Sequence, residues 1–596
     1  MAKMTAAQAV AHFLKRVGTK RYYLYNGHAN WGLLDALEYE AKIPGVRMRH
    51  EIHAIHAADI EWRMRRELPI PVTCTTVGPG NFNAIPGIAE AFFDSTPMLC
   101  LMAGGPTKWY GRGGIQEIYR YGDDEFIQIF KTFTKGAYTT LRPDTALRTV
   151  MRAYKTAITG RPGPVVVYMP LDVQNTEIDI EIPSKKELDD WLFPHPPAPD
   201  PDALAAAVKM LAKAKRPIIY TSSGVLNAHA WDDLRAFAEA AQIPVATTFG
   251  GKGGMPEDHP LSLGVCDRSG TGHAVQAAQE ADLVLGIGVR FNDLNTAGWT
   301  IFNIPSKTTL IHIDIDPGEI SRVYPARIGM VSDAKSALKG LLKAWAESGA
   351  LGKRTGWLKT IAGWKKEWQV EVHAAITSDI TPLHYARIVK DTSDAVNAYD
   401  PLASLVVDTG FIMNYVPAFY TLKSPWFATN NQQFGQMGFA PPGVVGAGME
   451  RPKHPVVVFV GDQSFIHTGL SLATATEYGV PGVVIVLNNK TIQAEVEGAK
   501  NKFGRGVGDF YKIEKTGELW NPAISEIARA MRAEVYRVEK ADDFKPALEK
   551  ALRSGKLCVI DVEASNTIKR YAVPLVLKHG TMPFPYSWEM EKAADQ

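Results

Sequence analysis

Cysteine is scarce in this sequence, and so are long apolar runs and any excess of one charge. Only Cys74, Cys100, Cys266 and Cys558 occur in 596 residues, each in or beside an apolar stretch, which favours reduced core thiols over a disulfide framework or a zinc site. No run approaches the roughly 20 apolar residues of a membrane span, and no signal-peptide core follows Met1. A net charge of +2 gives no bias towards nucleic acid. We expect a cytoplasmic protein that neither spans a membrane nor binds nucleic acid.

What the chain does contain is a series of short β-rich apolar runs separated by amphipathic helical segments. Hydrophobic residues make up 46% and charged residues 21% of the composition, as in globular proteins. The runs are continuously apolar rather than alternating, which is typical of parallel strands covered on both faces by helices. The predicted fold class is therefore α/β, built from three doubly wound parallel sheets.

Two breaks divide the chain into predicted domains. The Pro-rich segment at residues 194–201 reads as an extended connector, because successive prolines fix φ and remove amide donors. A polar, Trp-bearing helical stretch around residues 347–375 marks a softer boundary. The predicted domains are 1–190, 195–345 and 375–570, followed by a C-terminal tail, 571–596.

Two of the apolar runs end on small oxygen-bearing side chains. Val456–Val460 is followed by Gly461 and Asp462, and ligand crevices in parallel α/β sheets lie at such carboxyl ends. Gly461 permits a sharp turn, Asp462 supplies an anionic oxygen, and the helix starting near Ser464 offers free amides to an anion. We expect a phosphate-binding turn here.

The second run ends on Asn488 and Asn489. Asn489 would add a neutral carbonyl oxygen, and the backbone carbonyl of Thr491 could complete a set with one negative charge. So sparse a set suits Mg²⁺ or Ca²⁺ held together with cofactor phosphates. Taken singly, each pair is more often a simple strand-end turn.

The spacing of the two pairs favours a joint role. Between Gln463 and Asn488 lie 24 residues. The arrangement resembles the thiamine-diphosphate motif of the acetolactate synthase-like enzymes, Gly-Asp-Gly followed by about two dozen residues and Asn-Asn, with Gln463 in place of the second glycine. Gln463 and its neighbours would then contact the diphosphate. The resemblance also implies an activating glutamate in the first domain, and Glu51, in an Arg-His-Glu context, matches it. Its carboxyl would bind the aminopyrimidine ring and help to form the ylide, which leads to an enamine intermediate.

Further segments follow the same order as in this family. The resemblance implies that the Gly-Pro-Gly loop with Gly78 and Asn81 approaches the pyrimidine ring, and that Gln116 is a donor in the active site. It also implies that Gly435 accepts from the cofactor's amino group and that Met437 wedges the cofactor into a bent shape. A core role is the alternative for Met437.

The middle domain resembles the corresponding domain of the same enzymes, which binds FAD in several members and lacks it in others. Arg290, Asp314 and Asp333 are the groups that would face FAD. Structural turns are the alternative explanation of its glycine-rich segments.

The reaction is less closely specified. His28 and Asn30 stand in a loop where many members have Gly-Val-Pro-Gly, and His28 could act as a general acid or base. The Gly-His-small-Asn pattern resembles a trihydroxycyclohexanedione hydrolase. The sequence "PLDVQ" (Pro170–Gln174) resembles that branch and glyoxylate carboligase. The segment after Asn489 lacks the tryptophan with which acetolactate synthases select a second 2-oxo acid. Our first expectation is a carboligase or lyase for a small 2-oxo acid or 2-hydroxy ketone. A ring-cleaving hydrolase of a cyclic 1,2-dione comes second, and a degenerate nucleotide-binding relative is a third alternative.

The resemblance also implies an assembly. In this family the glutamate-bearing domain of one subunit covers the diphosphate-bearing domain of another, so that Glu51 and Asp462 would serve one cofactor across a subunit interface. We expect a homodimer or homotetramer.

Overall fold

The computed structural model describes residues 2–119, 122, 125–193, 195–429, 433–507 and 511–573. The described chain divides into two compact units. One comprises the described residues within positions 1–195, 434–453 and 467–481, and the other comprises those within positions 196–433, 454–466 and 482–596. Most of the predicted tail lies outside the described residues. No described helix combines the length and apolarity needed to cross a membrane.

The first unit contains a six-stranded sheet. The strands of this region are β1 (Ala2–Thr5), β2 (Tyr22–Leu24), β3 (Gly45–Arg47), β4 (Val72–Thr75), β5 (Met98–Gly104), β6 (Gly136–Thr139), β7 (Pro164–Pro170) and β8 (Glu177–Ile180). The helices are α1 (Ala6–Arg16), α2 (Trp31–Asp35), α3 (Glu51–Arg65), α4 (Pro79–Asn83), α5 (Ile85–Phe93), α6 (Glu125–Lys131), α7 (Pro143–Ile158), α8 (Leu171–Asn175) and α9 (Lys185–Leu192). The sheet order is β3-β2-β4-β5-β7-β6, with every pair parallel, while β1 and β8 form a separate antiparallel pair.

The second unit contains two more six-stranded sheets, of which the first has the order β11-β10-β9-β12-β13-β14 and is wholly parallel. Its strands are β9 (Pro217–Thr221), β10 (Val245–Thr247), β11 (Ser262–Val265), β12 (Leu283–Ile287), β13 (Thr309–Asp314) and β14 (Ile328–Val331). The helices of this region are α10 (Pro201–Lys213), α11 (Ser223–Asn227), α12 (Trp231–Ala241), α13 (Gly272–Glu280), α14 (Asp293–Thr296), α15 (Ala334–Glu347) and α16 (Thr355–Ile376).

The third sheet has the order β16-β15-β17-β18-β20-β19, again wholly parallel. Its strands are β15 (Ser404–Val407), β16 (Phe427–Thr429), β17 (Val456–Gly461), β18 (Gly482–Asn488), β19 (Glu534–Val538) and β20 (Leu557–Glu563). The helices that follow in the chain are α17 (Tyr385–Tyr399), α18 (Val416–Phe419), α19 (Gly443–Glu450), α20 (Asp462–Thr468), α21 (Leu472–Glu477), α22 (Gln493–Phe503), α23 (Ile524–Ala530) and α24 (Ala541–Arg553). Short 3₁₀ or π turns occupy Ala36–Glu40, Thr107–Trp109, Phe249–Gly251, Phe411–Asn414 and Gly469–Ser471.

The predicted fold class is confirmed, and the reason is visible in the central strands. Every residue of β7 and β18 is buried, as expected for parallel strands with helices on both faces. The first and third sheets share one strand order. In each sheet the second strand in the chain lies on one side of the first strand and the later strands lie on the other side, so the order switches between β2 and β4 and between β15 and β17. Ligands of doubly wound sheets bind at the carboxyl ends of the strands near such a topological switch point.

The four cysteines and the last described residues, up to Val573, are held within the fold. All four cysteines are buried and none forms a disulfide, so the prediction of core thiols is confirmed. Tyr571 donates to the carbonyl of Gly270 at 3.3 Å, and the amide of Val573 donates to Arg268 O at 2.9 Å. The chain up to Val573 is thus attached to its own unit. The three predicted domain boundaries remain a prediction.

Candidate active site

In the first unit, Glu51 begins helix α3 directly after strand β3 and the turn that follows it. His50 caps the helix by accepting the Ile52 amide at 3.2 Å. This cap sets the direction of the helix, and the Glu51 side chain is 4% exposed. Asn83 Nδ2 donates to Glu51 Oε2 at 3.1 Å. The predicted catalytic carboxyl is therefore buried and held at one oxygen.

The glycine loop after β4 lies against this carboxyl. A Cβ on Gly80 would come within 3.1 Å of Glu51 Oε1 and 2.7 Å of Thr76 Cγ2. Gly78 has a φ of +64°, and a Cβ there would lie 2.8 Å from Gln116 Cβ, so both positions need glycine. The loop thus lies between Glu51, next to Gly80, and Gln116, next to Gly78. Gln116 as a whole is nevertheless exposed.

Asn81 has a supporting position in the same loop. Its Oδ1 accepts from Thr75 Oγ1 at 2.6 Å and its Nδ2 donates to Ala103 O at 3.0 Å. The side chain is completely buried. Direct binding of the cofactor by Asn81 stays a prediction, and these hydrogen bonds favour anchoring of the glycine loop instead.

The loop that carries His28 is fixed to the segment before Gly78. Asn30 Nδ2 donates to Tyr25 O at 3.2 Å, and its Oδ1 accepts the Gly27 amide at 3.1 Å. The Ala29 amide donates to Thr76 Oγ1 at 3.3 Å. Asn30 therefore shapes the loop. His28 Nε2 is buried and has no hydrogen-bond partner among the described residues, as is also the case for ring nitrogens of His53, His56 and His273.

Gly435 and Met437 also belong to the first unit. Gly435 has a φ of +71°, a conformation that favours glycine. Between them, the Gln436 amide donates to Glu90 Oε2 at 3.0 Å, and the Gln436 side chain donates to Met437 O at 2.9 Å. Met437 is only half-buried, so core filling does not explain it. Contact of either residue with the cofactor stays a prediction.

In the second unit, Asp462 stands at the end of β17 beside the end of β18. Strands β17 and β18 pair with Gly461 opposite Leu487, which places Asp462 and the two asparagines at one edge. Asp462 is 2% exposed. Its Oδ2 accepts the Lys490 amide at 2.7 Å and Asn521 Nδ2 at 2.5 Å. Burial raises the pKa of Asp462 to about 7, although these hydrogen bonds act in the opposite direction.

The turn after β18 holds the other predicted ligands. Lys490 has a φ of +59°, and this turn directs its amide to Asp462 while it carries Asn489 and Thr491 on either side. Asn489 Nδ2 donates to Tyr385 Oη at 2.7 Å, and its Oδ1 accepts the Thr491 amide at 3.0 Å. The orientation of the Asn489 amide is therefore fixed by Tyr385. The Lys490 amide links this turn to Asp462, so Asp462 and the Asn489 turn are neighbours; a shared role of Asp462, Asn489 and Thr491 as metal ligands stays a prediction.

The remaining predicted residues of this turn differ in their surroundings. A Cβ on Gly461 would meet nothing within 4 Å, so crowding by the protein itself does not require glycine there. Ser464 is buried at 2% exposure, and Gln463 at 8%. Gln463 Nε2 donates to Asn521 Oδ1 at 2.6 Å. Sequence reasoning missed Asn521, Tyr385 and Asn83, and no motif in the sequence distinguishes them.

Comparison with known proteins supplies the family. Three family models match the chain: "Thiamine pyrophosphate enzyme, N-terminal TPP binding domain" over residues 4–125, "central domain" over residues 204–341, and "C-terminal TPP binding domain" over residues 408–562. The chain is 33% identical to the "Probable acetolactate synthase large subunit" of Methanocaldococcus jannaschii over 565 residues, which covers 94% of this chain and 92% of that protein. The chain belongs to the acetolactate synthase-like thiamine pyrophosphate enzymes.

Other relatives of this thiamine pyrophosphate enzyme also match it over most of both chains. It is 31% identical to the "Acetolactate synthase large subunit" of Corynebacterium glutamicum, over 92% of this chain and 85% of that protein. It is 29% identical to the chloroplastic acetolactate synthase of Arabidopsis thaliana, over 96% of this chain and 83% of that protein. The predicted resemblance is confirmed, and the general kind of activity, a thiamine-pyrophosphate-dependent enzyme, follows from it.

The donor set of the second unit fits a divalent ion and a diphosphate. The buried Asp462 carboxylate and the Asn489 amide oxygen, which accepts the amide and hydroxyl of Thr491, would together with the predicted Thr491 carbonyl leave coordination positions for phosphate oxygens, as hard cations such as Mg²⁺ require.

The middle domain of this thiamine pyrophosphate enzyme fits FAD less specifically. Asp333 caps helix α15 by accepting the Ser336 amide at 2.9 Å, and this accounts for it structurally. Asp314 is buried and accepts the Asp316 amide at 2.9 Å. Arg290 donates to Gln433 Oε1 at 3.2 Å. All three side chains already have protein partners, so FAD remains a proposal for this domain.

Proposed function

We propose that this chain is a carboligase or lyase that uses thiamine diphosphate and Mg²⁺, or Ca²⁺, to act on a small 2-oxo acid or 2-hydroxy ketone. The observation that carries the proposal is the junction of Asp462 with the Asn489 turn, a buried oxygen set with one charge. Bound thiamine diphosphate supplies a carbon nucleophile and an electron sink for cleavage of the bond beside a carbonyl. Residues of this chain supply binding and proton transfer.

Glu51 is the proton-transferring group in this proposal. Its Oε2 accepts from Asn83, and no described residue donates a hydrogen bond to its Oε1, which faces Gly80. We assign to Oε1 the exchange of a proton with the aminopyrimidine ring nitrogen. The glycines of the loop permit a planar ring to approach this oxygen. Gln116 and His28 are assigned to the substrate side.

Asp462, Asn489 and the Thr491 carbonyl would hold the divalent ion, with Gly461, Gln463 and Ser464 beside the diphosphate. Gly78, Asn81, Gly435 and Met437 would shape the pocket for the rings of the cofactor. The proposed assembly is a homodimer or homotetramer with Glu51 of one subunit and Asp462 of another at one site.

Product analysis tests the reaction. The purified protein is incubated with thiamine diphosphate, Mg²⁺ and a panel of small 2-oxo acids. We expect carbon dioxide and an acyloin or hydroxy acid. Protein that binds the cofactor but releases neither from any member of the panel contradicts the proposed reaction. The absorbance spectrum of the same preparation tests for FAD, since bound flavin is yellow.

A second candidate, the ring-cleaving hydrolysis of a cyclic 1,2-dione, is favoured by one observation. His28 Nε2 is buried without a partner among the described residues, and a histidine beside the substrate could deliver a proton or direct a water molecule. A ring-opened acid formed without gas from a cyclic dione would support this candidate over the first.

A further inference from the structure

Asn521 connects two residues of the cofactor motif. It lies 59 positions after Asp462, in the irregular segment that precedes α23. Its Nδ2 donates to Asp462 Oδ2 at 2.5 Å, and its Oδ1 accepts from Gln463 Nε2 at 2.6 Å. The three side chains form a continuous chain of hydrogen bonds, Gln463 to Asn521 to Asp462.

The direction of this chain follows from its end. Asp462 Oδ2 already accepts the Lys490 amide and so presents lone pairs on this side, and Asn521 turns its NH₂ group towards it. Its carbonyl oxygen then faces Gln463, which must present its own NH₂ group. Gln463, 8% exposed, thereby holds the Asn521 amide in this orientation from its carbonyl end. Glycine at this position, as in the usual family motif, has no side chain to do so.

The contact also decides which oxygen of Asp462 remains for a metal. Oδ2 accepts both Asn521 and the Lys490 amide, whereas Oδ1 accepts the adjacent Gln463 amide at 2.8 Å and no side chain among the described residues. With two donors at Oδ2, the carboxylate is held against rotation and Oδ1 keeps a lone pair for a cation. Partners that orient a metal ligand in this manner affect metal affinity strongly.

We propose that Asn521 is a positioning residue for the metal-binding carboxylate of Asp462, and that Gln463 acts through Asn521. This inference rests on the proposed function, because it assumes that Asp462 binds the divalent ion of the cofactor. It gives the departure from the family motif at Gln463 a physical role.

Equilibrium binding of Mn²⁺ tests the proposal without a measurement of turnover. The free Mn²⁺ signal is followed by electron paramagnetic resonance in the presence of excess thiamine diphosphate. We expect Asn521→Ala and Asn521→Leu each to weaken Mn²⁺ binding about 10-fold to 100-fold. Alanine is smaller than asparagine and leucine is larger, so a loss in both variants identifies the amide rather than the volume of the side chain. Asn397→Ala, which removes a half-buried amide bonded to Ser393 and Thr421 in the same unit, is the matched control and should bind like the wild type.

The double variant tests whether Gln463 acts through Asn521. Gln463→Ala alone should weaken binding by a smaller factor, and Gln463→Ala with Asn521→Ala should bind within about twofold of Asn521→Ala, because coupled residues are not additive. Wild-type affinity in Asn521→Leu overturns the role of Asn521, and fully multiplied losses overturn the coupling to Gln463. A wild-type protein that binds no Mn²⁺ with thiamine diphosphate overturns the proposed function, and this inference with it.

Discussion

Glu51 is the single residue on which the proposed chemistry depends most. Replacing it by glutamine keeps the size and the contact with Asn83 but removes the group that exchanges a proton. We expect Glu51→Gln to bind thiamine diphosphate with near wild-type affinity and to lose about 10²–10⁴ in turnover, the usual contribution of a general acid or base. Exchange of the C2 proton of the bound cofactor, followed by NMR, should slow in parallel. Glu38→Gln, at a salt bridge with Arg47 on the same unit, is the control, and near-normal turnover of Glu51→Gln would refute the assignment.

His28 is the second single residue whose replacement tests the proposed chemistry. Its Nε2 lacks a partner among the described residues, so substitution removes no hydrogen bond between this nitrogen and them. We expect His28→Ala to retain cofactor affinity and thermal stability while turnover on the true substrate falls by about tenfold or more. Unchanged turnover together with unchanged product ratios would show that His28 is only a loop residue.

At the scale of elements, helices α3 and α19 of the first unit pack so closely that one glycine becomes essential. A Cβ on Gly446 would lie 2.2 Å from the carbonyl oxygen of Ala57. Because this oxygen is a backbone atom, the two helices would have to move apart to accommodate the Cβ. We expect Gly446→Ala to lower the free energy of unfolding by about 1–3 kcal/mol, as measured by urea denaturation. Gly363→Ala is the matched control at an exposed position of helix α16, where a Cβ meets nothing within 4 Å. That variant should be neutral or more stable by up to about 1 kcal/mol, and equal losses in both would contradict the packing argument.

Buried histidines on helices α3 and α13 give the fold a dependence on pH. Burial lowers the pKa of His53 and His273 to about 3 and that of His56 to about 4. The unfolded chain takes up these protons near pH 6.5, so the stabilisation is complete above that pH and is lost as the pH falls towards about 4 for His56 and about 3 for His53 and His273. Each histidine contributes a slope of at most about 1.4 kcal/mol per pH unit. The urea midpoint should fall steadily from pH 7 to pH 5. His56→Gln should reduce that slope by about one proton, and an unaltered slope would contradict the assignment.

At the scale of the whole molecule, the sheets were predictable and the cross-links between distant segments were not. Continuous apolar runs such as Val456–Val460 predict buried parallel strands, and Asp462 and Asn489 come together because neighbouring parallel strands end at one edge. Asn521 reaches Asp462 only through the fold of an irregular segment, which carries no periodicity. The role of Asn81 depends on a buried partner, Ala103, that no local pattern reveals.

The proposed assembly makes a prediction that only the whole oligomer can satisfy. Glu51→Gln and Asp462→Asn should each be inactive when expressed alone. If one site takes Glu51 from one subunit and Asp462 from another, then a mixed dimer contains one site with both native residues. Co-expression of the two variants with different affinity tags, followed by random pairing, should restore about a quarter of wild-type turnover. Sites built within one chain would regain nothing, because every chain would still lack one of the two groups. The measurement therefore separates a shared active site from an internal one, even when the size of the oligomer is left open.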